Sequence, residues 1–247
     1  MRIFITGASS GIGEYVAYEY ARQGAVLGLA ARRIDQLERV AEKCKELGGS
    51  PSIYEIDVAN QITTKSAIDD FITNNNGIDI VIANAGVSGN VDLKNGDSSD
   101  INHMLSTNIL GVTNTVLPVL PTMLKQKSGF VVVVSSVAGY RGLPGRSGYS
   151  ASKVAIRFMM DSWRMVFSKQ GISFTTICPG FIDTDMTSSH KFHMPFLMDV
   201  DTFAKKMVTA ISKRKKTYIV PWQWRLIIPI IKITPDGLLN YFASKKV

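Results

Sequence analysis

Short apolar runs alternate with mixed, helix-like stretches along almost the whole chain. Runs rich in β-branched and aromatic residues stand at 1–6, 25–30, 51–56, 78–83, 129–135, 172–178 and 217–220. Each has the length and composition of a strand. Between them, residues 34–47, 61–74, 100–125 and 149–169 carry apolar positions at helical spacing, and the stretch after Gly13 fits a helix closed by Gly24. The four valines of residues 131–134 suit a central strand covered on both faces. Regular alternation of this kind predicts an α/β fold: one doubly wound parallel sheet of about seven strands, flanked by helices. No repeat, low-complexity tract or linker divides residues 1–247, so a single domain is expected.

In such sheets ligands bind beyond the carboxyl ends of the strands. The unusual residues fall there: Asp57 after the third run, Asn84-Ala85-Gly86 after the fourth, Ser135-Ser136 after the fifth and Pro179-Gly180 after the sixth. The first run leads directly into T-G-A-S-S-G-I-G, residues 6–13. Strand, glycine turn and helix form a phosphate seat, because glycine lets the backbone approach an anion and a helix N-terminus presents free N–H groups. Tyr149 and Lys153 are four residues apart, on one face of a helix, and Ser136 precedes Tyr149 by thirteen positions. A cation beside a phenol favours phenolate and lowers a pKa that is otherwise about 10. Such a phenol can exchange a proton with a carbonyl oxygen near neutral pH.

Taken in order, T-G-A-S-S-G-I-G, N-A-G at Asn84, Asn108, S-S-V-A-G at Ser135, Y-S-A-S-K at Tyr149 and P-G-F-I-D-T at Pro179 resemble the short-chain dehydrogenase/reductase family over residues 2–220. The resemblance implies an oxidoreductase that moves a hydride between a nicotinamide and a carbonyl or alcohol. It implies Tyr149 as general acid/base and Lys153 as the group that lowers its pKa and holds the nicotinamide ribose. Ser136 would bind the substrate carbonyl, and Asn108 would hold a water linking Lys153 to solvent. The implied cofactor set is Gly7, Ser9, Ser10, Gly11, Ile12, Gly13, Arg32, Arg33, Asp57, Val58, Asn84, Ala85, Gly86, Pro179, Gly180, Ile182 and Thr184, with Tyr149 and Lys153. Within it, Asp57 would meet the adenine amino group and Thr184 the carboxamide end. The competing reading is a catalytically idle NADP(H)-binding sensor or scaffold, which would not need Ser136, Tyr149, Lys153 and Asn108 together.

The second run ends L-A-A-R-R, with Ala31 where an acid would select a free ribose 2′-hydroxyl. NADP(H) is therefore expected over NAD, with Arg32 on the 2′-phosphate and Arg33 stacked on the adenine. Residues 181–200 read as a substrate lid, and its Phe181, Met186, Phe192, Met194, Phe196, Leu197 and Met198 anticipate an apolar pocket. His190 and His193 have a metal-like spacing but no further ligand nearby, so no metal is expected. Cys44 and Cys178 are too few and too far apart for a disulfide framework.

Charge changes the picture at one end. The chain carries 28 Lys or Arg and 20 Asp or Glu; ten of the former and only one of the latter, Asp236, fall in residues 205–247. The body is thus near neutral and shows no nucleic-acid motif. With no apolar leader and no stretch long enough to span a bilayer, a cytoplasmic protein is expected. Residues 221–247 form a basic, apolar extension in place of the glycine-rich turn that many family members use in tetramers. A homodimer through the stretches 100–125 and 149–169 is expected instead. For the extension itself two readings stand: a peripheral membrane contact led by Lys213, Arg214, Lys215 and Lys216 with the tryptophans beyond them, or packing on the fold. Pro221, Pro229 and Pro235 are expected to interrupt any long amphipathic helix there.

Overall fold

The computed structural model describes residues 1–89, 91–188 and 194–239. His190, Phe192, His193, Tyr241 and Phe242 lie outside them. Seven parallel strands form one sheet in the order β3-β2-β1-β4-β5-β6-β7. They are β1 (Arg2–Thr6), β2 (Val26–Ala31), β3 (Ser50–Glu55), β4 (Ile80–Ala83), β5 (Gly129–Val134), β6 (Ile172–Pro179) and β7 (Thr217–Val220). All seven expected runs are strands, displaced by at most two residues at either end.

Strand alternation decides the two layers. Ile3, Ile5, Leu27 and Leu29 face one side, where α1 (Gly11–Ala21), α2 (Ile34–Glu46) and α9 (Val200–Ser212) cover them with Val16, Leu37, Val40, Phe203 and Met207. Phe4, Val81, Val131 and Val133 face the other side, under α3 (Gln61–Asn74), α5 (Gly111–Val116), α6 (Leu120–Gln126) and α7 (Ser147–Val166). There Phe4 and Phe71 pack edge to face with centroids 5.5 Å apart. Helix α9 was not among the expected helices, although Val200, Phe203, Ala204, Met207 and Ile211 are buried at helical spacing. Asp199 starts it by accepting the Thr202 N–H at 2.8 Å.

The stretch expected as one helix over 100–125 is instead segmented. It runs through α4 (Ser99–Leu105), a π turn (Ser106–Leu110), α5, a 3-10 turn (Leu117–Val119) and α6. Pro118 and Pro121 supply no N–H to the helical ladder, which accounts for the tight turn between α5 and α6. Past β6 come the short α8 (Asp185–Ser188), α9, β7 and α10 (Trp224–Ile233). The extension forms a short amphipathic helix of 10 residues between Pro221 and Pro235, and Pro229 lies inside it on the exposed side without breaking it. Trp224 and Ile228 bury its inner face, and Arg141 donates to the carbonyls of Ile231 (3.1 Å) and Lys232 (2.7 Å) at its end. Among the described residues no helix is long and apolar enough to cross a membrane.

Strand order reverses beside β1, where β2 lies on one side and β4 on the other. The connections therefore diverge above β1 and β4 and leave a crevice at their carboxyl ends.

Candidate active site

The crevice is a groove of about 260 Å³. It is lined by Gly7, Ser9, Ser10, Gly11, Ile12, Arg32, Arg33, Asp57, Val58, Asn84, Ala85, Gly86, Ser136, Tyr149, Lys153, Pro179, Gly180, Ile182 and Thr184. Of the catalytic and cofactor residues named from sequence, Gly13 and Asn108 alone are missing from that lining. Ala31 joins it at the position expected to face the ribose, and Ile56, Val87, Thr107 and Thr187 join it without having been anticipated. Ile56 and Val87 could have been found, since Ile56 ends a predicted strand just before Asp57 and Val87 directly follows Asn84-Ala85-Gly86.

At one end the loop after β1 packs closely against the exit of β4. Gly7 has φ +66°, and a Cβ there would lie 2.8 Å from the Ala85 Cα. The Asn84 side-chain amide donates to the carbonyls of Thr6 and Gly7, both at 3.1 Å, so it organises the loop from the neighbouring strand. Gly13 acts from beneath: a Cβ there would fall 2.2 Å from the Gly7 carbonyl oxygen, so its role is helix-to-loop packing rather than lining the groove. Ser10 precedes α1 in extended conformation without capping it, which leaves the first N–H groups of the helix facing the groove.

The two arginines after β2 both line the groove, with different partners. Arg33 donates to Ser9 Oγ at 3.1 Å and Ser10 Oγ at 2.7 Å, spanning the glycine loop. Arg32 turns toward Asp57, 3.9 Å away between exposed side chains, a weak ion pair. Asp57 also accepts the Ala59 N–H at 2.9 Å.

At the other end, β5 delivers two serines with different tasks. Ser135 Oγ donates to the Lys153 carbonyl at 2.8 Å and so faces the body of α7. Ser136 accepts the Ala138 N–H at 3.1 Å and lines the groove together with Tyr149. Lys153 is buried, donates to the Val134 carbonyl at 2.9 Å and lies 5.6 Å from the Tyr149 ring centre. Burial drives its pKa from 10.5 down to about 8. The Tyr149 phenol is pushed up by burial, against the opposing pull of the Ser136 hydrogen bond and the Arg146 charge.

Asn108 sits in the π turn and is fully buried. Its amide donates to the Val87 carbonyl (2.9 Å) and Ser152 Oγ (3.0 Å), and its oxygen accepts the Val87 N–H (2.8 Å). These bonds tie the exit of β4 to α7. In the lid, among the described apolar residues expected to form a pocket, only Met186 lines the groove. Phe181 and Phe196 pack against Trp224 instead, with ring centres 6.0 and 6.2 Å away.

A dinucleotide seat with a Ser-Tyr-Lys cluster beyond it agrees with the comparisons. The family model described as short chain dehydrogenase matches residues 1–194. An uncharacterized oxidoreductase of Myxococcus xanthus is 34% identical over 241 residues, spanning 98% of this chain and 95% of that one. A protein of Arabidopsis thaliana named 11-beta-hydroxysteroid dehydrogenase-like 3 is 37% identical over 97% of this chain and 79% of its own length. The crystal structure of an alcohol dehydrogenase from Thermococcus sibiricus, complexed with 5-hydroxy-NADP, superposes with a TM-score of 0.79 at 27% identity, covering 89% of this chain and 95% of that one. The chain belongs to the short-chain dehydrogenase family, and so to the oxidoreductases that bind NAD(P).

Lys153 gives a prediction about stability. Its folded pKa lies below its ordinary value, so the folded state binds that proton more weakly than the unfolded chain does. The resulting cost is complete below about pH 8 and fades as pH rises toward 10.5. Relative to a Lys153→Met variant, the wild type should gain on the order of 2–3 kcal/mol between pH 7 and pH 10. Denaturant unfolding of both proteins across that range tests it; a constant difference would refute it.

Proposed function

We propose that the protein is an NADP(H)-dependent oxidoreductase that exchanges a hydride between nicotinamide and the carbonyl or alcohol of an apolar or bulky substrate. The observation that carries this reading is the convergence of Ser136, Tyr149 and Lys153 on one groove, with Lys153 Nζ 5.6 Å from the Tyr149 ring centre. Two hydroxyls held together can meet one carbonyl oxygen: Ser136 donates a hydrogen bond to it while Tyr149 gives it a proton. Nicotinamide, when bound, supplies or accepts the hydride. Lys153 keeps positive charge next to the phenol and favours the phenolate left behind. Ser135 and Asn108 act at one remove, fixing α7 so that Tyr149 and Lys153 stay in register.

The cofactor preference rests on Arg33. With Ser9 and Ser10 it builds a corner of one guanidinium and two hydroxyls beside Ala31, with no carboxylate at the end of β2 to repel a 2′-phosphate. The main phosphate contact therefore moves from Arg32, as the sequence suggested, to Arg33. Likeness to a structure complexed with 5-hydroxy-NADP supports the same preference. The apolar substrate class draws on Leu143, Met186, Phe196 and Leu197, exposed on the segments that follow Ser136 and β6, and on a relative named for a hydroxysteroid dehydrogenase.

We also propose a homodimer through α4–α6 and α7. Leu110, Leu117 and Leu124 are exposed on the first stretch. Phe158 and Met165, seven residues apart on α7, are each more than 70% exposed.

Three outcomes follow. Tyr149→Phe should bind NADPH normally, by nucleotide fluorescence, yet lose at least about 10²-fold in kcat on ketones and diketones; retained turnover would remove Tyr149 from its role. Arg33→Ala should raise KM for NADPH roughly 10- to 100-fold while leaving NADH kinetics unchanged, with a smaller effect for Arg32→Ala; a wild-type preference for NADH would overturn the cofactor reading. By light scattering the wild type should be a dimer and the double variant Phe158→Glu, Met165→Glu a monomer. A monomeric wild type would rule the interface out.

A further inference from the structure

Helix α10 leaves a face uncovered. Trp222 just before it and Leu226, Ile230 and Ile233 along it are 62, 64, 61 and 82% exposed. Residues 226, 230 and 233 follow one another at helical spacing, opposite the buried Trp224 and Ile228. The result is one apolar stripe. Its underside is firmly held: Trp224 lies directly over Gly180, between the rings of Phe181 and Phe196, and Arg141 binds the carbonyls at the far end. The stripe is thus a rigid surface standing beside the mouth of the groove.

Charge selects the occupant. Arg225 and Lys232, seven residues apart, line one flank of the stripe. The basic run 213–216 reaches the same place along the edge strand: Lys215 Nζ and the Arg225 guanidinium lie 4.8 and 5.7 Å from the Tyr218 ring centre. Among the described residues none of Lys215, Arg225 and Lys232 has a carboxylate partner, and Asp236 is engaged by Arg141. A second copy meeting this face about a twofold axis would bring like charges together. A bilayer bearing anionic headgroups would neutralise them while accepting tryptophan and the aliphatic side chains at the headgroup boundary.

We propose that Trp222 and α10 dock the protein on an anionic lipid surface, apolar stripe inward, with Lys215, Arg225 and Lys232 at the headgroups. The docking is independent of the catalytic chemistry proposed above.

The test is co-sedimentation of the full chain with phosphatidylcholine vesicles, with and without phosphatidylglycerol, at low and high salt. Binding is expected only to the anionic vesicles and should weaken with salt. Leu226→Ser with Ile230→Ser should reduce it at least tenfold, and Arg225→Gln with Lys232→Gln roughly fivefold per charge removed. Both pairs are exposed, so thermal melting should be unchanged and would expose any misfolded variant. Failure of the wild type to bind anionic vesicles at low salt would overturn the proposal, as would undiminished binding by the Leu226, Ile230 variant. Conversion of a wild-type dimer to a monomer by those two substitutions would assign the face to a second copy. Binding that appears only after residues 240–247 are deleted would assign it to the chain's own end.

Discussion

Two buried hydrogen bonds hold the end of β5 to the middle of α7. Ser135 Oγ reaches the Lys153 carbonyl, and Lys153 Nζ reaches back to the carbonyl of Val134. Each serves a group that would otherwise be buried without a partner, which costs about 1–3 kcal/mol. Because they join the residue before Ser136 to the residue four after Tyr149, they fix the separation of two hydroxyls that the chain parts by an exposed loop. The rest of the site is arranged about this clasp: Asn108 braces the same helix through Ser152, and the 3-10 turn after Ser136 carries Arg141 out to α10.

Burial acts on Tyr149 and Lys153 in opposite senses, up for the acid and down for the base. Both shifts favour uncharged forms. The protein thus places no carboxylate against Lys153 to hold its proton, and the charge in the inner groove responds to whatever anion enters it. A dinucleotide brings phosphates into the same crevice, with a field that favours the ammonium. The proton inventory of this site is in that sense set jointly by protein and ligand.

Much of this was legible in the sequence, for identifiable reasons. Strands buried on both faces read as continuous apolar runs, and β7 agrees with its expected limits to the residue. The glycine loop and the Ser136, Tyr149, Lys153 spacing are local patterns, and the groove lining reproduces them. What local pattern could not carry was the direction of long side chains. Nothing in L-A-A-R-R says that Arg33 crosses to Ser9 and Ser10 while Arg32 turns to Asp57. Nor does it say that Phe181 and Phe196 abandon the groove for Trp224, because the partner lies far away in sequence and is recognised only by packing. Asn108 was found by register, but its commitment to Val87 and Ser152 depends on a π turn that hydrophobic periodicity does not register.

Trp224 resting on Gly180 also has a consequence for the order in which the molecule is made. The glycine loop belongs to the first strand-helix unit, and the clasp between β5 and α7 is complete once residue 153 has been added. The wall beyond β6 is supported only when residue 224 arrives, more than forty residues after Gly180. Chains fold from the amino end as they are synthesised. A nascent chain therefore has the parts of its nucleotide seat well before the other side of its groove acquires a backing, and the substrate side is the last piece of the molecule to become rigid.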